Sequence, residues 1–232
     1  MHGAGLAFSR LRRWLGLAPT WGWGRSLCEL EMVFPAHWVK DSAGPVTVRP
    51  LVGRQDHLRL ERVRFADRDW LQPWEATLPP ESLEKPPSFP QFQRRLDRQV
   101  EEGLALPMLV EVGGEPVGMV SLSEVSRGAL LSGAVGYWVA STWAGRGVGS
   151  LAVAAVLDLA LGELGLHRVE INIRPDNGPS LGLAHKLGLR LEGRRERYMC
   201  IAGKWEDHLS FAVDSHSFPP GGFVHTIWGG QI

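Results

Sequence analysis

The sequence predicts an α+β fold: a mixed, mostly antiparallel central sheet with one parallel βαβ crossover, flanked by helices. Three β-type runs follow one another between residues 106 and 140, and a tight Gly113-Gly114-Glu115 turn joins the first two. These runs predict an antiparallel meander. A glycine-rich loop, a long apolar segment and a β-branched run at 167–173 come next. Because parallel strands need a crossover connection, this part predicts the βαβ unit.

The segment before the meander predicts one strand and two helices. Residues 45–51 show the alternation of a strand, and Asp56 is a candidate N-cap for a helix that ends near Phe65. Five prolines between residues 73 and 87 predict irregular chain up to Phe89. A second helix is predicted from there to about Gly103, because apolar residues recur every four positions: Phe92, Leu96, Val100 and Leu104.

The segment after the meander predicts two helices and three strands. Glycines and a proline-rich turn separate these elements. They are a helix at 146–164, a strand at 167–173, a short helix at 180–187 and a final hairpin of strands 189–201 and 205–213.

All of these elements fit one domain, at residues 45–214. Residues 1–44 and 215–232 are expected to be irregular extensions, since Pro19 and a Trp/Gly alternation interrupt the first and a Pro-Pro-Gly-Gly run the second. Met32 is an alternative start to Met1, which would make the first 31 residues a leader.

Composition excludes several classes of function. The formal net charge is zero, which argues against a broad surface for DNA. No segment reaches the roughly 18 apolar residues of a membrane span. The two cysteines, Cys28 and Cys200, lie far apart, and the eight histidines are scattered, so neither a disulfide framework nor a metal site is predicted. A cytoplasmic location follows as the expectation.

The loop before the long helix is the most informative motif, with glycines at 145, 147 and 149. Alternating small residues allow successive backbone N–H groups to converge on one point. A helix that begins near Arg146 adds free amides and the positive end of its dipole. The loop therefore predicts an anion cradle suited to a pyrophosphate.

Two other phosphate-binding motifs fit less well. Residues 147–152 match the dinucleotide pattern G-x-G-x-x-A, and Glu170 lies at about the distance of a ribose-binding acid. However, six residues separate these glycines from the strand end at Ala140, and only one parallel unit follows. A P-loop is excluded because no Gly-Lys-Ser/Thr follows the glycines.

Six motifs in register make residues 45–214 resemble the GNAT superfamily of N-acetyltransferases, and within it the RimJ/RimL-like type that acetylates the N-terminal alanine of ribosomal proteins. One departure is Ala144, where the family's loop begins with Gln or Arg. The motifs are Gly136-Tyr-Trp-Val139, Ala144-Gly-Arg-Gly-Val-Gly149, Asp176-Asn-Gly-Pro-Ser180, His185-Lys-Leu-Gly-Leu189, Leu191-Glu-Gly193 and Gly203-Lys-Trp-Glu-Asp207.

The resemblance implies acetyl-CoA as co-substrate and no metal. The CoA pyrophosphate would lie on backbone amides of the loop, and pantetheine would pair with the main chain of Trp138, Val139 and Ala140, next to parted strands. An N–H near Val139 would polarise the acetyl carbonyl. The implied loop amides are those of Arg146, Gly147, Val148, Gly149 and Ser150.

Two polar residues after the crossover strand have two interpretations each. In the family the position of Asn177 bonds to pantetheine, and that of Ser180 lies near the CoA sulfur, where it would protonate the departing thiolate. The alternatives are a turn residue and a helix N-cap. For the side chains of Tyr137 and Trp138, ordinary packing is the favoured interpretation.

The acceptor expected from the resemblance is the N-terminal α-amine of a protein or peptide, foremost a ribosomal protein. Such an amine has a pKa near 7.7–8.0, so a weak base suffices. The family's carboxylates fall on Met199 and Asn172, which leaves Glu170 and Glu196 as water-linked candidates.

Several alternatives stay open from the sequence. A small amine such as an aminoglycoside or polyamine, and a non-catalytic CoA-binding module, are the competing functions. The acceptor wall is expected from residues 70–89 and the final hairpin. The arginines at 194, 195 and 197 indicate a solvated strand face more than an RNA contact. Monomer and homodimer are both compatible with the sequence.

Overall fold

The computed structural model describes residues 26–229, which form an eight-stranded sheet with helices on both faces. The strand order is β1-β2-β3-β4-β5-β6-β8-β7. The strands are β1 (Met32–Phe34), β2 (Val46–Pro50), β3 (Leu106–Val112), β4 (Glu115–Ser126), β5 (Ser132–Val139), β6 (Arg168–Ile173), β7 (Arg190–Ile201) and β8 (Lys204–Asp214).

The helices follow the predicted order, with two additions that the sequence did not predict, Arg68–Leu71 and Gly222–Trp228. One of the helices, α4, continues as a π-helical turn at Leu159–Glu163. They are α1 (Gly53–Ala66), α2 (Arg68–Leu71), α3 (Phe89–Glu101), α4 (Val148–Asp158), α5 (Gly178–Lys186) and α6 (Gly222–Trp228).

One parallel pair interrupts an otherwise antiparallel sheet. Strands β5 and β6 pair in parallel, whereas all their neighbours pair antiparallel. The parallel pairing holds for three residue pairs and ends at Ala134 and Glu170, after which the two strands part. The predicted fold class, with its single βαβ crossover, is therefore confirmed.

Helix α4 forms the centre of the core. Its residues are buried almost all round, including Val153, Ala154 and Val156, which are fully inaccessible. A helix that is apolar on every side needs partners on every side. It packs against the sheet on one side and against α6 on another. A smaller cluster of Leu51, Leu60 and Leu109 joins α1 to the opposite face of β3.

The start of α1 differs from the prediction. Val52 occupies the N-cap position, and Asp56 lies within the first turns. Its carboxylate accepts from the Val52 N–H and pairs with Arg49 at 2.6 Å. Asp56 alone did not fix the first residue of the helix, because an acidic side chain stabilises a helix from several positions near its N-terminus. The proline-rich segment is also more ordered than expected, since α2 and a 3-10 turn at Gln72–Trp74 occupy its beginning.

Both segments expected to be irregular contain ordered elements, so that expectation is wrong within residues 26–44 and 215–229. Strand β1 pairs with β2 at the sheet edge, and Leu27 and Leu30, which precede it, are buried in the core. In the other segment, the carboxylate of Asp158 accepts from the Phe223 and Val224 N–H groups and so caps α6. Residues 1–25 and 230–232 lie outside the described residues.

Candidate active site

The glycine-rich loop ends in a left-handed turn that starts α4. Gly145 and Gly147 have φ values of 71° and 96°, a region that favours glycine. The first helical hydrogen bond runs from the Leu151 N–H to the Gly147 carbonyl, at 3.0 Å. The amides of Val148, Gly149 and Ser150 therefore precede the hydrogen-bonded part of the helix and lie at its positive end. The helix begins two residues later than predicted.

Gly149 allows three elements to meet at the loop. A Cβ there would lie 3.4 Å from Val139 Cγ2, 3.5 Å from Tyr137 Cε2 and 3.7 Å from Leu183 Cδ1. The start of α4 thus packs directly on β5 and α5, while the side chain of Val148 is fully buried. Of the predicted loop residues, Val148 can offer only its main chain to a ligand.

Arg146 lies at the outer side of the loop. Its guanidinium stacks over the Trp143 ring, 5.0 Å from the centroid, and its carbonyl accepts from the Lys40 N–H at 3.0 Å. A cation–π contact holds the side chain without neutralising its charge. The positive charge therefore remains beside the free amides.

The main-chain groups of β5 alternate between its two neighbours. A Cβ on Gly118 of β4 would lie 2.3 Å from the Trp138 carbonyl oxygen, so that oxygen is directed at β4. The Val139 oxygen faces the other way, because Trp70 Nε1 donates to it at 3.3 Å. Since successive residues of a strand alternate in this way, Val139 presents its main chain away from β4 and Trp138 does not. The expected main-chain role of Trp138 conflicts with this direction.

A cleft of about 280 Å³ lies where β5 and β6 part. We call it the strand cleft. Its walls are residues 134–137 and 171–174, completed by Trp74, Ala76, Ser123, Glu124, Asn177, Ser180, Tyr198, Met199, Ile201 and His208.

Asn177 and Ser180 meet the cleft at the start of α5. Asn177 is the N-cap, and its Oδ1 accepts from the Ser180 N–H at 3.2 Å. The capping alternative is therefore correct for Asn177, whereas the Ser180 side chain takes no part in the cap. Instead, Ser180 lies beside Tyr137 in the lining of the cleft, where burial raises the pKa of Tyr137 and the neighbouring Ser180 lowers it in part.

The two carboxylates considered as water-linked bases lie outside the strand cleft. Glu170 is bound by Arg195 at 2.7 Å and by Arg168 at 3.0 Å, and Glu196 is exposed beside Arg197. Neither Glu170 nor Glu196 is among the residues that line the strand cleft. The arginines of β7 are thus partly neutralised, which agrees with a solvated strand face.

Two ionisable groups in the cleft escaped the sequence analysis. Glu124 lies on β4 in left-handed backbone, with φ 51°. His208 is buried on β8, and its Nδ1 donates to the Glu206 carbonyl at 3.1 Å. Burial, with a contribution from the charge of Arg174, lowers the pKa of His208. The imidazole is therefore neutral at pH 7, with Nε2 as the acceptor nitrogen. No sequence spacing signalled either residue.

The wall between α1 and α3 contributes Trp74 and Ala76. Trp74 lines the cleft beneath Arg174, whose guanidinium lies 5.2 Å from the ring centroid. Asp176 pairs with that guanidinium at 2.6 Å. Ala76 forms a β-bridge with Ile201 of β7, which joins this wall to the final hairpin. Both expected sources of the acceptor wall thus border the cleft.

Within residues 26–229, no group of three or more His, Cys, Asp or Glu side chains is arranged to hold a metal ion. In the same range, no helix combines the length and the apolar character that crossing a bilayer requires.

Two parallel strands that part beside the N-terminus of a helix, with free backbone amides at that N-terminus, are characteristic of the acyl-CoA N-acyltransferase class. Residues 46–190 match the family described as an acetyltransferase (GNAT) domain. This match spans more than half of the chain, which therefore belongs to the GNAT family and is an N-acetyltransferase.

Its relatives include ribosomal-protein acetyltransferases of the RimJ/RimL type. The ribosomal protein uS5-alanine N-acetyltransferase of Escherichia coli is 28% identical over 173 residues, 74% of this chain and 89% of that protein. The probable N-acetyltransferase YjcK of Bacillus subtilis is 33% identical over 123 residues, 53% of this chain and 67% of that protein. The structure of Mycobacterium smegmatis RimJ with CoA-disulfide has a TM-score of 0.75 at 32% identity, over 92% of this chain and 98% of that one.

Proposed function

We propose that this N-acetyltransferase transfers the acetyl group of acetyl-CoA to the N-terminal α-amine of a protein, foremost a ribosomal protein, by direct attack in a ternary complex. One observation carries the proposal: β5 and β6 part after Ala134 and Glu170, and the cleft that opens there is lined by Tyr137, Asn177 and Ser180. A cytoplasmic location is part of the proposal.

The glycine-rich loop and the N-terminus of α4 suit the pyrophosphate of CoA. Free amides from Val148 to Ser150, the dipole of α4 and the charge of Arg146 all favour an anion there. A side chain at Gly147 would be strained by its φ of 96°, so this turn depends on glycine. Ala144 has no polar side chain that could contact the phosphates, so the donors of the loop are its main-chain amides.

The acyl end fits the chemistry of amide formation. The amine must be neutral when it attacks the thioester carbonyl, because an ammonium has no lone pair. The N–H of Val139, directed away from β4, is placed to donate to the carbonyl oxygen as negative charge develops. The hydroxyl of Ser180 would donate its proton to the leaving thiolate as the C–S bond breaks, and it would regain a proton from the attacking nitrogen, which becomes the neutral amide. Alignment of the two substrates supplies much of the rate.

The charges of the cleft favour a protein N-terminus over a polyamine. A polyamine carries several cations and would be matched by several carboxylates. Glu124 is the only acid among the cleft-lining residues that the structure describes, and Arg174 is a lining cation. A single α-ammonium with a neutral peptide behind it fits this balance better.

The experiment compares acceptors directly. The protein is incubated with acetyl-CoA and peptides that begin with Ala, Ser or Met, in parallel with spermidine and an aminoglycoside. CoA release and peptide mass are measured. Acetylation of a peptide α-amine is the expected result. Transfer to the small amines alone would overturn the proposed acceptor, and tight CoA binding without transfer to any amine would overturn the enzymatic reaction itself.

A further inference from the structure

A β-bulge turns one carboxylate out of the core and into the strand cleft. The side chains of Val120 and Leu122 on β4 are fully buried, so strict alternation would place that of Glu124 on the same core face. The register with β5 shifts between Ser123 and Ser126. Val125 is buried instead, and Glu124 is exposed at the cleft.

The backbone at this bulge is held in an unfavourable conformation. Glu124 has φ 51°, in the left-handed region that non-glycine residues rarely adopt. Four other non-glycine residues among 26–229 share positive φ values, and none of them lines the cleft. Ser123 Oγ donates to the Ala134 carbonyl at 3.3 Å, which ties the bulge to β5. Bulges that re-aim a side chain are common beside active sites.

The position of Glu124 along the sheet assigns it to the acceptor. Ser123, its neighbour, pairs with Ala134, the last residue of β5 that pairs with β6. The phosphate loop follows the opposite end of β5. Five residues, or roughly 17 Å of strand, separate Ala134 from Val139. Glu124 therefore lies at the closed end of the cleft, away from the site of the pyrophosphate.

The other acids near the cleft are already neutralised. Arg195 and Arg168 bind Glu170, and Arg174 binds Asp176. Asn172 and Met199 also line the cleft but carry no charge, and Asn172 Oδ1 accepts from Ser210 at 2.6 Å. A cation that enters the closed end therefore meets its opposite charge at Glu124.

We propose that the Glu124 carboxylate binds the α-ammonium of the acceptor before transfer. This inference rests on the proposed function, since it assigns a recognition residue to the same reaction. The α-amine is mostly protonated at pH 7, because its pKa is near 7.7–8.0. The acetylated product is a neutral amide, so Glu124 binds the substrate in preference to the product and favours product release.

The test is the Glu124→Gln variant, which keeps the shape of the side chain and removes its charge. The expected result is a rise in KM for a peptide acceptor on the order of tenfold to a hundredfold. The KM for acetyl-CoA stays at the wild-type value. Calorimetry of the CoA-bound protein with the same peptide, acetylated and unacetylated, should show that wild type prefers the free amine and that the variant loses this preference.

Two controls isolate the charge. Glu196→Gln removes an exposed carboxylate of β7 outside the cleft and should leave both KM values unchanged. Glu124→Asn also lacks the charge, and asparagine tolerates the left-handed backbone, so it replaces the Gln variant if that one folds poorly. An unchanged peptide KM in a folded Glu124 variant would overturn the role of Glu124.

A failure of the proposed function would appear in the wild-type protein, as a different choice of acceptor, and not only in the Glu124 variants. If wild type acetylates only small amines, the protein acceptor is wrong, and the same variants are then measured with that amine. A raised KM there keeps Glu124 as the ammonium site, whereas an unchanged one rejects it. If wild type acetylates no amine, both proposals fail.

Discussion

The side chains of Tyr137 and Ser180 lie side by side at the strand cleft, one from β5 and the other from the first turn of α5, and Ser180 partly offsets the rise that burial causes in the pKa of Tyr137. The contact joins the strand that would align pantetheine to the residue proposed to protonate the thiolate. The Ser180 side chain is not needed for the helix cap, which Asn177 supplies.

Ser180→Ala should lower kcat by about 10²-fold, the lower end of what a positioned proton donor contributes. The KM for acetyl-CoA should not change, and neither should the melting temperature, because the cap uses only the Ser180 main chain. Steady-state kinetics and thermal unfolding measure these quantities. A wild-type kcat would exclude Ser180 as the acid.

Tyr137→Phe removes the hydroxyl partner and keeps the ring. If the two hydroxyls act as one unit, the double variant should lose little more activity than Ser180→Ala alone. The double-mutant cycle on kcat measures this coupling. Fully additive losses would mean that Tyr137 has no part in positioning Ser180.

Gly147→Leu should raise the KM for acetyl-CoA strongly, because a side chain strains the turn that directs the loop amides. The matched control is Gly165→Leu, at the far end of the π-helical turn, where φ is also positive at 66° and nothing lies within 4 Å of an added Cβ. Both variants carry comparable backbone strain. Equal effects on KM in the two variants would show that general destabilisation, and not the loop, is responsible.

Arg49→Met should destabilise the fold by about 3 kcal/mol, because two partly buried carboxylates lose their nearest shared cation and keep only Arg59, which is 2.9 Å from Glu111 but 3.9 Å from Asp56. Arg49 contacts Asp56 at 2.6 Å and Glu111 at 2.8 Å, and its side chain is only 19% exposed. In a chain of this size the loss corresponds to a fall of roughly 6–12 °C in melting temperature. Calorimetry measures it.

Arg190→Met is the control for Arg49. Arg190 also binds two carboxylates, Glu192 and Asp214, but it is exposed at the sheet edge. Water and salt screen such pairs, so the melting temperature should stay close to that of wild type. If the melting temperature fell by a similar amount in both variants, burial of the ion pairs would not be the reason for the loss of stability.

Stability should decrease as the pH falls below about 6.5, through the buried imidazole of His57. Burial lowers the pKa of His57 in the folded state. Below the unfolded pKa the unfolded chain takes up a proton that the folded chain resists, so protonation favours unfolding. His57→Gln should be less acid-sensitive than wild type between pH 6.5 and 5.

Urea unfolding at several pH values measures this difference. The control is His37→Gln, because His37 is exposed and its replacement should leave the pH dependence of wild type intact. Parallel curves for wild type and His57→Gln would show that His57 is not the source. His208, whose pKa is also lowered by burial, then becomes the residue to replace.

Much of the chain's architecture could be predicted from the sequence, for a local reason. The Gly113-Gly114 turn, the four-residue spacing from Phe92 to Leu104 and the glycines of the loop act within a few residues of one another. Such patterns can be recognised in a single sequence because backbone sterics and periodic burial are properties of the segment itself. They were enough for the order of most elements between residues 45 and 214 and for the family resemblance.

The tertiary structure decided what depends on distant partners. Asp158 caps α6 across 65 residues, and this contact orders a segment whose own sequence reads as irregular. Tyr137 and Ser180 meet only because a helix and a strand converge at Gly149. The β-bulge that turns Glu124 into the cleft depends on the register between β4 and β5, which strand pairing sets over the whole sheet. Local sequence determines the elements, and only their packing brings these side chains to one site.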